Sequence, residues 1–204
     1  MRKYIYILIY LSTQFIALSI DKDIEFEKLK AKFTDANTII ILASNSTQNE
    51  INLTSYTRDT IDIKITRGNK YQIKSSNRIL TSDGDTLWNY SKEDNNVIIS
   101  TFNSFSSETS IENIFFEKIN NMKVVSLKSG NDTQLGAYYK LELISKVDDE
   151  KVYIYLSKLK KLIALEIVND FSEQIWHIIK FKVSKENANY NFIPPKDIEL
   201  IDLR

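Results

Sequence analysis

The 204-residue chain contains no cysteine. That excludes disulfide frameworks, thiolate metal sites, cysteine nucleophiles and an acylated N-terminal cysteine. Histidine occurs once, as His177, so no site can rest on two imidazoles. Glycine (4) and proline (2) are scarce, and the sequence holds no glycine-rich phosphate loop, nucleophile elbow or metal-binding signature. Neither sign of charge dominates. Lys plus Arg and Asp plus Glu each number 27, which leaves no global field to gather nucleic acid. His177 lies in the strand-like stretch Trp176-His177-Ile178-Ile179, and the carboxylates show no paired motif. The reading is a protein that is not an enzyme, with no cofactor and no metal. What is present is apolar: 43% of residues are hydrophobic and 11% aromatic, enough for a substantial core.

The first residues read as a targeting segment. Arg2 and Lys3 precede a charge-free run from Tyr4 to Ile20, and Ala17-Leu18-Ser19 puts small residues where a signal peptidase reads. The competing reading is a membrane anchor, because the run approaches the roughly 20 residues that span a bilayer. Ser12, Thr13 and Gln14 dilute it, and an anchor has no use for the small residues at its end. Residues 1–19 are therefore expected to be a signal peptide and 20–204 a single domain, exported and soluble. Removing Arg2 and Lys3 from the 27 basic residues leaves 25 against 27 acidic, a net charge of −2.

Asp23 to Phe33 has helical spacing, with Ile24, Phe26, Leu29 and Phe33 as an imperfect apolar stripe behind Asp21 or Asp23 as cap. The period then changes to two. Ile61, Ile63 and Ile65 alternate with polar residues, as do Tyr71 and Ile73, and Arg67-Gly68-Asn69 between them reads as a hairpin turn. Strands at Ile79-Leu80, Leu87 to Tyr90 and Val97 to Thr101 continue a meander of elements about 5 residues long. Thr109-x-x-Glu112 then forms a capping box, with Ile111, Ile114, Phe115 and Ile119 on one helical face. Strands resume at Val124 to Lys128, Ala137 to Ile144, Lys151 to Ser157, Leu162 to Val168 and Gln174 to Ser184, with a last one at Ile198 to Asp202.

The fold class expected is mainly β with a few helices: a curled antiparallel sheet forming an incomplete, half-open barrel with a helical lid. So many antiparallel strands twist and curl, and helices outside any β–α–β alternation belong over the concave face. Val152 to Leu156 and Leu162 to Leu165 read as apolar on both faces. Two interiors satisfy this pattern, one filled by the sheet's own side chains and one leaving an apolar cavity.

The stretches Arg67 to Ile73 and Ile79-Leu80-Thr81-Ser82-Asp83-Gly84-Asp85-Thr86-Leu87-Trp88-Asn89-Tyr90 resemble the core signature of the LolA family, the periplasmic lipoprotein carriers. Asn191-Phe192-Ile193-Pro194-Pro195-Lys196-Asp197-Ile198 is similar to that family's closing Phe-x-Pro-Pro stretch. The resemblance implies a periplasmic carrier that binds lipoprotein acyl chains and shuttles them from the inner to the outer membrane. It implies partners too: acylated lipoproteins as cargo, an inner-membrane ABC-type exporter and, where the organism has one, an outer-membrane acceptor; a monomer is expected, and the balanced charge argues against nucleic acid. The alternative is a periplasmic lipid- or glycolipid-binding protein, or an envelope-stress sensor, on the same fold. By the same resemblance Arg67 is a lid-contact arginine, although Gly68 stands where the family commonly has proline. The implied acyl-chain cavity is Tyr71, Ile73, Leu80, Trp88, Tyr90, Tyr139, Leu141, Trp176 and Ile178, and the lid is Ile111, Ile114, Phe115 and Ile119. The absence of cysteine favours the soluble shuttle over a lipid-anchored acceptor.

Overall fold

The computed structural model describes residues 21–49, 59–102, 115–116, 118–146, 150–169 and 172–204. Its first element, α1 (Lys22–Thr34), starts at Asp21, whose carboxylate accepts from the backbone N–H of Asp23 (2.8 Å) and Ile24 (3.2 Å). Such a cap is worth about 1 kcal/mol. Asp23 and Glu25 in the first turn and Lys32 in the last complement the helix dipole. Phe26, Leu29 and Phe33 form the buried stripe, whereas Ile24, expected on it, is 54% exposed.

Twelve strands follow among the described residues: β1 (Thr38–Asn49), β2 (Asp59–Thr66), β3 (Lys70–Lys74), β4 (Arg78–Asp83), β5 (Thr86–Ser91), β6 (Asn96–Thr101), β7 (Met122–Asp132), β8 (Gly136–Ser145), β9 (Lys151–Ser157), β10 (Leu162–Asn169), β11 (Ser172–Ser184) and β12 (Glu199–Asp202). They make one sheet in the order β12-β6-β5-β4-β3-β2-β1-β11-β10-β9-β8-β7. The first and last strands of that order do not pair, so the sheet stays open. Every pairing is antiparallel except β12 on β6. The mainly β, open and curled antiparallel sheet expected from the sequence is the fold observed.

β1 is the strand that the alternation argument misses. It joins the two meanders, pairing with β2 on one side and β11 on the other. Ile39, Ile41 and Ala43 are fully buried on its concave side. Ile40 and Leu42 supply apolar residues to the opposite side as well, so the sequence shows a run rather than an alternation.

Register assigns the two faces. One concave row runs Phe181, Ile41, Ile63, Ile73, Leu80, Asn89 and Ile98 across seven strands. Another carries Ile178, Ala43 and Ile61. In the second half Leu165, Ile154 and Leu141 continue the concave side. Phe26, Leu29 and Phe33 of α1 join this core, together with Phe115 and Ile119. The helix therefore lies over the concave face. Of the second expected helix, over Thr109 to Asn121, residues 115–116 are helical and Lys118–Asn121 is a 3₁₀ turn; its remaining residues lie outside those described.

A bulge sets the parity of β11. Ile41 pairs with Phe181 but Ala43 pairs with Ile178, so Ile179 is the extra residue and is 61% exposed. Without it His177 rather than Trp176 would face inward.

The convex side of β8 to β10 is not apolar, as the sequence had suggested for Val152 to Leu156. Tyr153 and Tyr155 point there, with Lys140 Nζ 3.8 Å from the Tyr153 ring centroid. Lys140 also pairs with Glu166 at 3.1 Å, and the Tyr155 hydroxyl donates to the same carboxylate. Burial and this acceptor raise the Tyr155 pKa far above the usual phenol value, so it remains a donor.

Candidate functional site

The sequence between β2 and β3 builds the centre of the site. Gly68 and Asn69 take left-handed backbone conformations (φ 81° and 60°), which turns the chain within three residues and projects Arg67 at the sheet end. Its guanidinium donates to the backbone carbonyls of Ala36 (3.1 Å), Phe33 (3.3 Å) and Thr34 (2.6 Å). Phe33 and Thr34 end α1 and Ala36 follows it; the Phe33 carbonyl also accepts from the Ala36 backbone N–H at 3.3 Å, and a cation there meets the negative end of the helix dipole. The same guanidinium lies 5.0 Å from the Phe116 ring centroid. Arg67 thus touches both segments that cover the concave face.

Those segments meet each other. Phe33 packs edge-on against Phe115 at 4.9 Å, and Phe181 of β11 closes the trio at 5.8 and 5.9 Å. At the helix's other end Glu25 pairs with Lys160 of the β9–β10 turn at 3.3 Å. Burial alone would raise the Glu25 carboxyl, but Lys28 and Lys160 outweigh it and hold its pKa below the usual value.

Coverage of the concave face is uneven. Over β7 to β10 most of the floor is buried, Leu141 included, so that residue is core beneath the cover, while Leu127 and Tyr139 are half-buried. Over β2 to β5 Ile63 and Ile65 are buried, whereas Ile61, Ile73, Leu80 and Leu87 are half-buried, as is Ile178 of β11. Tyr71 and Trp176 are buried at 8% and 7% exposure on the same side. Seven of the nine residues expected on one wall therefore share a face.

Trp88 and Tyr90 do not share it. They pair with Thr81 and Ile79, whose side chains point away from Leu80, and so they lie on the convex side. There the chain beyond β11 crosses them: Phe192 stacks on Trp88 and tilts on Tyr90, both at 6.3 Å. Tyr190 anchors this crossing through a buried hydroxyl chain to Thr66 (2.7 Å) and Thr38 (2.9 Å). The Leu-Trp-x-Tyr pattern faces this C-terminal strap, and strand alternation alone was enough to separate Trp88 from Leu87. Lys70, Asp83, Trp88 and residues 188–192 line a convex cleft of about 270 Å³. Of the expected lid, Phe115 and Ile119 are buried in the cover, while Ile111 and Ile114 lie outside the described residues.

Among the described residues, no group of three His, Cys, Asp or Glu side chains could hold a metal ion, and no helix is long and apolar enough to cross a membrane. His177 faces the convex side beside Ala164.

No family model matches the chain. An outer-membrane lipoprotein carrier protein of Wigglesworthia glossinidia brevipalpis is 32% identical over 129 residues, 62% of this chain and 60% of that protein. The resemblance to lipoprotein carriers holds. The chain spans about 60% of the length of the carrier it matches. Among solved structures, an uncharacterized conserved protein from Thermus thermophilus superposes with a TM-score of 0.50 at 11% identity, over 89% of this chain and 99% of that one. A LolA superfamily protein from Nitrosomonas europaea superposes with a TM-score of 0.40 at 8% identity, over 81% and 94%. At such identities the Thermus likeness bears on the fold alone.

Proposed function

We propose that the protein is a non-enzymatic periplasmic carrier that takes the acyl chains of lipoproteins against its concave face. The observation that carries this reading is the half-buried apolar floor of Ile61, Ile73, Leu80 and Leu87, next to a helical cover pinned by Arg67. The carrier resemblance points the same way. The task suits such a surface. Each buried methylene is worth about 0.8 kcal/mol, so an acyl anchor leaves a bilayer only for an apolar site of comparable depth. Release requires that the cover can also move, and Arg67 is the group placed to govern that movement. In this reading residues 1–19 direct export and 20–204 form one carrier domain. An inner-membrane exporter supplies the cargo and an outer-membrane acceptor receives it.

The test is to purify the full-length chain after expression with a co-produced lipoprotein and identify what remains bound by mass spectrometry. Stoichiometric acylated protein is expected. Extractable free lipid alone would replace the lipoprotein reading with that of a lipid or glycolipid carrier, and an empty concave face would overturn both.

A further inference from the structure

Trp176 presents a buried donor on the concave face. Its side chain is 7% exposed, and the indole N–H has no hydrogen-bond partner among the described residues. The bulge at Ile179 places it there, between Leu165 of β10 on one side and β1 on the other. Leaving such a group unpaired in an apolar site is costly, and most buried donors are satisfied. A second polar atom without a partner among those residues, Asn89 Oδ1, belongs to the same concave face, in the row of Ile73 and Leu80. The floor meant to meet hydrocarbon thus carries an unused donor and an unused acceptor.

Resting on the carrier reading, we infer that Trp176 is a specificity-determining residue that donates its indole N–H to an ester carbonyl linking an acyl chain to the cargo. Hydrocarbon alone cannot satisfy the donor, whereas an ester carbonyl at the head of the chain can. Ile178, Ala43 and Ile61 form the adjoining apolar floor, with Ile178 and Ile61 half-buried. The indole therefore distinguishes acyl chains, which carry carbonyls, from alkyl chains of equal length.

The probes are a synthetic diacylated Cys-Ser-Lys lipopeptide with a free N-terminal amine, whose two chains are ester-linked, and its analogue with ether-linked alkyl chains in place of both esters. Competition binding to the full chain is expected to favour the ester form about fivefold to tenfold, the worth of one hydrogen bond. In Trp176→Phe, checked for native circular dichroism, the ratio of ester to ether affinity falls towards unity. A measurement on the unaltered protein guards against a variant that does not fold: the Trp176 indole proton resonance should move downfield with the ester probe and not with the ether probe. Equal affinity for both probes in the unaltered protein, or a preference that survives in Trp176→Phe, would overturn the inference and leave the carrier reading standing. Binding of neither probe would overturn the carrier reading itself.

Discussion

Single residues decide how the cover is held and how the turns fit. Arg67 donates to three carbonyls at the end of α1 and stacks on Phe116, so one side chain joins two covering segments to the sheet. Replacing it with leucine is expected to loosen the helix end by about 1–2 kcal/mol, since the bonds are charge-assisted but the side chain is largely exposed. Amide exchange over residues 30–36 should speed up and binding of an apolar dye should rise, with the sheet's protection unchanged. Lysine keeps the charge but loses the planar fork, and should restore little. The neighbouring glycines make a graded pair. Gly84 has φ 104° and an added Cβ would sit 2.7 Å from the Gly68 carbonyl oxygen, whereas Gly68 (φ 81°) has open space around it. Gly84→Ala should therefore lower the unfolding free energy by about 2–3 kcal/mol and Gly68→Ala by about 1 kcal/mol, read from denaturant midpoints.

At the scale of elements, α1 is clamped at both ends, by Arg67 and by the Glu25–Lys160 pair. The Glu25 carboxyl titrates below its ordinary 4.5 in the folded chain. A depressed folded pKa means stability that is present above the unfolded value and is lost as pH falls through the folded one. Docking of α1 should weaken below about pH 4.5, and Glu25→Gln should flatten that acid limb of the unfolding curve without altering the midpoint's dependence near neutrality. Elements were largely legible in the sequence where a period was clean. The alternating isoleucines of β2 and the Asp21 cap of α1 announce themselves. β1 did not, because Ile39-Ile40-Ile41-Leu42 is apolar on both sides and a buried run carries no period. The parallel pairing of β12 was equally hidden, since four residues cannot declare their neighbour. Nor could the site be read whole: the turn alone marks Arg67 only as a hairpin residue, its lid contact being what the family resemblance implies, and the inward aim of Trp176 depends on a bulge at Ile179 that shifts parity.

The whole molecule is a sheet with two differently used faces, and this sorts the candidate wall. The concave side carries Ile73 and Leu80, half-buried beside the helical cover. The convex side carries Trp88 and Tyr90 beneath the C-terminal strap, locked by Phe192 and by the Thr38–Thr66–Tyr190 hydroxyl chain. A large aromatic on β5 and a leucine on β4 are thus neighbours in register space but are separated by the thickness of the backbone. Removing the aromatic should act on stability, and charging the leucine should act on cargo. Trp88→Ala strips a partly buried ring and its Phe192 contact, which is expected to lower the unfolding free energy by about 2–3 kcal/mol while leaving lipopeptide affinity unchanged below the transition. Leu80→Asp puts a carboxylate on the apolar floor where it is half-exposed, so the sheet can keep the charge hydrated in the empty protein. Acyl chains laid over that position would dehydrate it, and lipopeptide affinity is expected to fall at least tenfold with a smaller change in the unfolding midpoint. The pair of measurements, affinity and midpoint on both variants, separates the faces. If Trp88→Ala weakened binding as much as Leu80→Asp, the cargo would have to be assigned to the convex cleft under the strap.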